Sequence, residues 1–461
     1  MVCVKGKKRK QMDKFHFIAI GGIGQSALAK ILLQKGYSVT GSDIADSKYT
    51  KELKDLGAKI YIGHSADNVP NDAKIVASTA IKEDNPEMVR ARELGLTIYH
   101  RSDILQIVSK HFKNFIGFSG THGKTTTSGL CAYVLEEMGI KPSYAIGGII
   151  PKYKTNGSAT DSDIFVAELD ESDGTIVKYA PHITVINNLE PDHCDFYGTG
   201  LEKIFETFKT FTNNLASDDI IILNADNSGA VEFSKELNNF VTFGIEKSAK
   251  YMACDIKLNG IRSEFTVVKD GMVQGNIKLS IPGLHNVYNA LAVISALFEA
   301  GFEFLDMQNH FEGFSGMGRR FQLVKEFDGI QIIDDYAHHP SEIKATLSAS
   351  RNIHKGRIVA IFQPHRYTRF KGLWGDFLSS FDDADIVFVT DVWRAGDEPI
   401  EGFDSSDFAE QLGARCTHLK GSMAEISAEI AKFIKPDDMV LTLGAGDITN
   451  IGKFIYENYT A

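Results

Sequence analysis

The sequence predicts an α/β protein of three domains, and three observations carry that prediction. The chain has 461 residues, which is too long for one hydrophobic core and corresponds to about three domains of ordinary size. Short apolar runs alternate with segments of helical spacing, a pattern typical of parallel sheets with helices on their faces. Turns of small residues, several of them glycine, follow many of the apolar runs. In a parallel sheet these turns lie at the carboxyl ends of the strands, where ligands bind.

The first domain opens with a strand, a glycine-rich turn and a helix. A strand is predicted over residues 15–20, and Gly22, Gly24 and Ala27 then fit the G-x-G-x-x-G/A fingerprint. A second strand is predicted over residues 37–40, and Asp43 follows it, 19 residues after Gly24. This arrangement is typical of a Rossmann-like domain. The turn can hold any diphosphate, however, so it does not choose among nucleotides.

A second strand–turn–helix unit reads FIGFSGTHGKTTT over Phe115–Thr127. A Walker A loop needs a glycine where this chain has Phe118, whereas the nearest glycine is Gly120, so the loop is a shortened variant. Lys124 is predicted to reach the outer phosphates of a nucleotide, and the hydroxyl of Thr125 to face a magnesium ion. The central domain is therefore predicted to be of the P-loop ATPase type.

Two predicted strands of this domain end in acidic residues. A strand over 163–168 leads into four acids: Glu168, Asp170, Glu171 and Asp173. A strand over 182–188 leads into Glu190, Asp192 and His193. Acids after strands are usually solvated loop residues. Two such strand ends beside a phosphate loop instead indicate a magnesium–nucleotide site.

The third domain is predicted to be Rossmann-like, with strands that include residues 358–362 and 439–443. Polar residues follow the strands of this domain too. The motif DDYAHHP contains Tyr336 and His338, and the motif FQPHRYTR contains Arg366 and Arg369. Taken alone, the histidines would be a hydrogen-bonded loop pair and the arginines a surface helix start. Together they could hold an anionic third component, because arginine pairs bidentately with a carboxylate.

Composition excludes several classes of partner. The net charge of −11 argues against nucleic acid, and no apolar run approaches the roughly 18 residues of a membrane-spanning helix. Five basic residues among the first ten have no apolar run beside them and are expected to be a solvated tail. The five cysteines are scattered without a C-x-x-C pair, which suits a reducing cytoplasm. We expect a cytoplasmic monomer or homodimer.

These groups together predict an enzyme that uses ATP on a nucleotide-linked substrate. No Ser-His-Asp set or reactive cysteine is evident, so an enzyme nucleophile is not indicated. The consistent chemistry is carboxylate activation. A substrate carboxylate attacks the γ-phosphate to give an acyl phosphate and ADP, and an amine then expels phosphate.

The sequence resembles the Mur ligase family over nearly its whole length. The matching motifs run in order through AIGGIG, GTHGKTTT, AELDESDG, NNLEPDH, GLHNVYN, GMGRRF, DDYAHHP, FQPHRYTR and GAGD. The resemblance implies a UDP-sugar-binding domain at 1–111, an ATP-binding domain at 112–321 and an amino-acid-binding domain at 322–461. It also implies ligation of L-alanine to the carboxylate of UDP-N-acetylmuramate in peptidoglycan synthesis, with ATP and Mg²⁺ as cofactors.

The resemblance further implies residue roles. The catalytic set is Lys124, Glu168, His193 and His338; our own hypothesis is that His338 assists deprotonation of the amine. The metal ligands are Thr125, Glu168 and His193, although a histidine is not a natural magnesium ligand. The ATP site comprises Gly120, Thr121, His122, Gly123, Lys124, Thr125, Thr126, His285, Asn286, Asn289, Arg320 and Asp335. The UDP-sugar site comprises Gly22, Ile23, Gly24, Ser42, Asp43, His64 and Thr79. The alanine site comprises Tyr336, His338, Arg366 and Arg369.

Three other functions compete with this interpretation. A recycling ligase of the same family, which adds a tripeptide to the same UDP-sugar, shares the GTHGKTTT loop; the two close arginines favour a single small amino acid. The first glycine turn could indicate a nicotinamide-dependent oxidoreductase, which would leave Lys124 and Glu168 without a role. A non-catalytic nucleotide switch would not need an arginine-lined third domain.

Overall fold

The structure is a computed structural model that describes residues 13–192, 194–198 and 200–460. The basic tail and His193, both singled out above, lie outside those residues. The described residues form three sheets that follow one another along the chain, each with helices packed on it. No described helix combines the length and the apolar character needed to cross a membrane.

The first sheet has five strands, all parallel, in the order β3-β2-β1-β4-β5. The strands are β1 Lys14–Ile18, β2 Ser38–Asp43, β3 Lys59–Ile62, β4 Lys74–Ala77 and β5 Ile98–His100. The helices are α1 Ile23–Gln34, α2 Lys48–Asp55, α3 Pro86–Glu93 and α4 Arg101–Ser109, with a 3-10 helix at Ala66–Asn68. Because the extended Gly22 is the N-cap of α1, Gly24 lies in the helix and not in the predicted turn.

The second sheet has ten strands in the order β15-β14-β13-β12-β11-β10-β6-β9-β7-β8. The strands are β6 Asn114–Ser119, β7 Ser143–Ile150, β8 Thr155–Ser158, β9 Ile164–Glu168, β10 Ile183–Ile186, β11 Ile220–Asn224, β12 Val241–Gly244, β13 Tyr251–Asn259, β14 Arg262–Lys269 and β15 Met272–Leu279. The helices are α5 Lys124–Glu137, α6 Cys194–Tyr197, α7 Glu202–Asn213, α8 Ser228–Ser234, α9 Leu284–Glu299 and α10 Phe304–Met307, with 3-10 helices at Thr175–Lys178 and Gln308–His310. The phosphate-loop strand β6 lies between β10 and β9, so three strand ends meet at one edge.

The third sheet has six strands in the order β16-β17-β21-β18-β19-β20, and only the β16–β17 pair is antiparallel. The strands are β16 Gln322–Phe327, β17 Ile330–Asp335, β18 Ile358–Phe362, β19 Ile386–Thr390, β20 Cys416–Leu419 and β21 Met439–Leu443. The helices are α11 Pro340–Ile353, α12 Tyr367–Gly372, α13 Trp374–Leu378, α14 Ser405–Leu412, α15 Met423–Ala431 and α16 Ile451–Tyr459, with a 3-10 helix at Asp447–Asn450.

The hydrophobic cores are distributed unevenly over the three sheets. One apolar cluster is shared by the first two sheets and includes Phe17 and Ile31 beside Phe165 and Phe208. The two clusters of the third sheet, in contrast, contain only residues from Phe321 onward in the part of the chain that the structure describes. The predicted three-domain α/β fold is confirmed, whereas the domain boundaries stay a prediction.

Candidate active site

The phosphate loop joins β6 to α5 and requires glycine at two positions. Gly120 has a φ of 115° and Gly123 a φ of 81°, both in the left-handed region that disfavours side chains. A Cβ atom at Gly123 would also lie 2.7 Å from Oδ1 of Asn289. The loop therefore lies directly against helix α9, which carries residues of the predicted ATP site.

Lys124 is the first residue of α5, and its ammonium makes three contacts. It donates to the carbonyl oxygens of Gly120 at 2.6 Å and Thr121 at 3.0 Å, and to Oε1 of Glu171 at 2.9 Å. Burial raises the pKa of Glu171 to about 7, with the charge of Lys124 acting in the opposite direction. The ammonium of Lys124 is thus held beside the loop, where it is predicted to bind the outer phosphates of a nucleotide.

The four acids after β9 have different partners. Glu168 faces the loop, because both of its carboxylate oxygens lie 3.0 Å from the hydroxyl oxygen of Thr125. Asp170 instead pairs with Arg101 at 2.5 Å, and Asp173 lies 3.6 Å from His100, both on the first domain. A hydroxyl and a carboxylate are the hard oxygen donors that suit magnesium, so Thr125 and Glu168 fit the predicted ion.

A cavity of about 730 Å³ lies beside this loop, between the second and third domains. Its walls include most of the predicted ATP residues: His122, Gly123, Thr126, His285, Asn286, Asn289, Arg320 and Asp335. Asn289 donates to Asn286 at 3.0 Å, so the two amides form one polar face of α9. Asp335 accepts the N–H groups of Phe321 and Ala337, each at 2.8 Å, and burial raises its pKa to about 6.

The same cavity is lined by polar residues that the sequence did not single out, among them Asp226, Tyr288, Ser341 and Glu342. Glu342 caps the start of α11, because its carboxylate accepts the N–H of His339. The Pro-Ser-Glu order after His339 is a helix-start signal that could have found it. Asp226 and Tyr288 gave no such signal, since their 2.9 Å contact joins distant segments.

A second cavity, of about 710 Å³, lies at the carboxyl ends of the first sheet. Three of the predicted UDP-sugar residues line it: Gly22, Asp43 and His64. Asp43 accepts the N–H of Gly21 at 2.8 Å and so holds the glycine turn. Ser42 is fully buried below the cavity, and Ile23, Gly24 and Thr79 are not among its lining residues.

The buried carboxylate of Glu87, on α3, contacts residues in and beside this cavity. It accepts the hydroxyl of Ser42 at 2.6 Å and the amide of Asn68 at 2.8 Å, and it lies 3.1 Å from Nε2 of His16 and 3.5 Å from Nδ1 of His64. Burial opposes its charge, but these contacts lower its pKa to about 2. The sequence did not reveal Glu87, because its partners come from three separate segments.

The predicted alanine residues gather at the carboxyl ends of β17 and β18. The rings of Tyr336 and His338 lie 5.2 Å apart, and His338 lies 5.4 Å from His365. Arg369 contacts Nδ1 of His365 at 2.9 Å and donates to Asp192 at 3.0 Å. Arg369 is therefore buried between two domains and is not the start of a surface helix.

His338 is partly buried, and its surroundings shift its pKa. Burial, reinforced by the charge of Arg369, lowers its pKa to about 3. A group with this pKa is a weak proton acceptor at neutral pH. The predicted role of His338 in deprotonating the amine stays a prediction. Arg366, the N-cap of α12, has a φ of 64°.

The chain matches one family along most of its length. Residues 14–113 match the Mur ligase family catalytic domain, residues 118–297 the Mur ligase middle domain, and residues 319–446 the Mur ligase glutamate ligase domain. The chain belongs to the Mur ligase family.

Within the Mur ligase family, the chain is similar to ligases of particular specificity. The chain is similar to the UDP-N-acetylmuramate–L-alanine ligase of Geotalea daltonii, at 39% identity over 97% of this chain and 98% of that protein. The ligase of the same name from Geobacter sulfurreducens is 39% identical, covering 96% and 97%. The solved UDP-N-acetylmuramate–alanine ligase of Thermotoga maritima has a TM-score of 0.81 at 31% identity, covering 97% and 99%. A murein peptide ligase of Psychrobacter arcticus shares the fold, with a TM-score of 0.73 at 23% identity, covering 97% and 98%.

Proposed function

We propose that this chain ligates L-alanine to the carboxylate of UDP-N-acetylmuramate, converting ATP to ADP and phosphate in the synthesis of peptidoglycan precursors. It is an ADP-forming acid–amino-acid ligase. The observation that carries the proposal is the junction at the edge of the second sheet. There the Lys124 loop, Glu168 and a cavity shared with the third domain all meet. Relatives that bear the name of this activity match nearly the whole chain.

The reaction has two steps. The muramate carboxylate attacks the γ-phosphorus of ATP, so that the bond to the bridging oxygen of ADP breaks and an acyl phosphate forms. The alanine amine then attacks the acyl carbon, an amide bond forms and phosphate leaves. Lys124 neutralises charge on the transferred group, and the loop glycines let the backbone approach it.

Magnesium would be held by the hydroxyl of Thr125 and the carboxylate of Glu168. A bound ion would supply charge neutralisation at the phosphates. The N–H of Gly147 donates to Glu168 at 2.7 Å, which orients the carboxylate for this task. His193 would be a ligand of a second ion.

The two substrates would bind at opposite ends of the ATP site. The UDP group would lie in the cavity of the first sheet, above Gly22, Asp43 and His64. Alanine would lie near Tyr336, His338, Arg366 and Arg369. The enzyme would act in the cytoplasm as a monomer or a homodimer.

Mass spectrometry of the reaction products tests the proposal. The protein is incubated with UDP-N-acetylmuramate, ATP, magnesium, a mixture of the common amino acids and the recycled tripeptide. We expect a product heavier by one alanyl residue, together with equimolar ADP. A product carrying only the tripeptide would assign the recycling activity instead. ATP that stays intact under all these conditions would overturn the assignment as a ligase.

A further inference from the structure

The side chain of His122 leaves the phosphate loop and reaches the third domain. Its Nε2 lies 2.9 Å from the hydroxyl oxygen of Ser341 and 3.3 Å from Oε2 of Glu190. Its Nδ1 lies 3.4 Å from Oε1 of Glu342. Ser341 donates its own proton to Glu190 at 3.1 Å, and its oxygen, which also lies 2.7 Å from Nδ1 of His339, can accept from His122. The imidazole therefore bridges the loop and the first turn of α11.

The backbone of His122 is held by hydrogen bonds, as its ring is. Its N–H donates to Oδ1 of Asn188 at 2.7 Å, and its carbonyl oxygen accepts the amides of Asn187 at 3.3 Å and Asn188 at 3.2 Å. Because the backbone and the ring are both held, the ring cannot follow a movement of α11 without displacing the loop.

The charges around His122 favour its protonated form. Burial opposes the charge, but the contacts with Glu190 and Glu342 raise the pKa of His122 to about 9. The ring of His339 packs at 4.5 Å, and burial together with the charge of His122 lowers its pKa to about 4. His339 is thus neutral beside the cation. Arg320, 3.5 Å from Oε1 of Glu342, is the other cation at this junction.

Glu342 extends the bridge towards the predicted amino-acid site. Its Oε2 accepts the N–H of His338 at 3.1 Å and lies 3.4 Å from Nδ1 of the same residue. A continuous polar path therefore runs from the phosphate loop through His122 and Glu342 to His338. Movement of the third domain would be transmitted along it.

We propose that His122 is a positioning residue that couples the docking of the third domain to the shape of the phosphate loop. The side chain works as a bridge between domains, so that the amino-acid site is completed only when the loop is held in the form that presents the γ-phosphate. The inference rests on the proposed ligase function and deepens it.

The substitution His122→Asn tests the bridge, because it removes the charge and shortens the side chain. ATP binding is measured directly by calorimetry, and KM for alanine and kcat are measured by phosphate release. We expect the dissociation constant of ATP to change by less than about threefold, while KM for alanine rises about tenfold, within the usual range of coupling between sites. The exposed His111 provides the control substitution His111→Asn, for which no change is expected.

A double-mutant cycle with Ser341→Ala gives a second readout. If the two side chains act through one bridge, the double variant will be little worse than His122→Asn alone. Thermal unfolding of each variant verifies that it folds; if His122→Asn does not fold, Ser341→Ala carries the same KM test alone. A KM for alanine that stays unchanged in folded variants would overturn the inference. So would a loss of ATP affinity equal to the rise in KM, since the side chain of His122, and not only its backbone in the phosphate loop, would then contact the nucleotide.

Metal analysis tests whether a bound metal ion, in place of hydrogen bonds, joins the phosphate loop to the third domain. Ligand atoms of His122, Glu190 and His339 all lie within 4.8 Å of one another, close enough to hold a metal ion. We expect no stoichiometric transition metal in the purified enzyme. If the wild-type enzyme holds a metal ion and His339→Ala does not, the bridge is made by metal ligation, and the inference of a hydrogen-bonded bridge through His122 is overturned. Failure of the wild-type enzyme to ligate any amino acid would refute the proposed function instead, so the two failures can be told apart.

Discussion

The ammonium of Lys124 has three acceptors within 3.0 Å, all on the loop or the adjacent acid cluster. The proposed reaction places the γ-phosphate where this charge can reach it. The substitution Lys124→Ala should lower kcat by a factor of about 10² to 10³, the usual cost of removing one group that stabilises transition-state charge. Binding of the UDP-sugar, measured by calorimetry, should be unchanged. A loss of that binding would place Lys124 in the sugar site and contradict its assignment to ATP.

Glu87 leads to a prediction about pH and stability. Its folded pKa of about 2 lies below the ordinary value of 4.5, so its stabilisation is complete above pH 4.5 and is lost as the pH falls towards 2. This difference corresponds to about 3 kcal/mol. Urea unfolding of the wild type and of Glu87→Gln should differ by roughly that amount at pH 7 and by about half of it or less at pH 3. Equal differences at both pH values would show that the carboxylate charge is not the cause.

These two residues also show what the sequence can and cannot predict. Lys124 was identifiable because its strand, glycine turn and helix are contiguous, and local geometry alone determines where its ammonium points. Glu87 acquires its environment from Ser42, Asn68 and His16, which approach it only after β1, β2 and α3 have packed. No local pattern encodes such a site.

At the scale of elements, the phosphate loop is restricted by its neighbour α9. Gly123 and Gly139 have similar φ angles, 81° and 78°. A Cβ at Gly123 would meet Asn289, whereas a Cβ at Gly139 would have no atom within 4 Å beyond its chain neighbours. Each alanine substitution should therefore lower the free energy of unfolding by about 1–2 kcal/mol through backbone strain. Only Gly123→Ala should also lower kcat/KM for ATP, by about a hundredfold, because it displaces the loop. Equal kinetics in the two variants would contradict the close packing of loop and helix.

Buried elements were the easiest to predict. The strands predicted at 358–362 and 439–443 match β18 and β21 at both ends, because continuous apolar runs bounded by turns leave little choice. The strand predicted at 182–188 ends earlier, at Ile186. Asn187 and Asn188 leave the sheet to bind the backbone of His122. The sequence could not reveal this contact, since it depends on how the strand ends meet.

For the whole molecule, the distribution of apolar cores separates one domain from the other two. The first two domains share a core, and Arg101, Lys30 and Asn156 add polar contacts between them. The third domain meets the second through ion pairs and hydrogen bonds at His122 and Arg369. Polar contacts of this kind can be broken and remade more cheaply than a shared core. The third domain is therefore the one expected to move during the reaction.

Hydrogen exchange of two core variants tests this division. Phe17 belongs to the shared core and Phe362 to a core of the third domain, and both are fully buried. Each substitution to alanine should destabilise its own unit by about 3–5 kcal/mol. Phe17→Ala should accelerate amide exchange in β1 and also in β6 of the second domain, because one core supports both. Phe362→Ala should accelerate exchange in β18 and β21 while β6 keeps its wild-type protection. Faster exchange in β6 of Phe362→Ala would show that all three domains unfold as one unit and would contradict the separation of the third domain's core from the shared core.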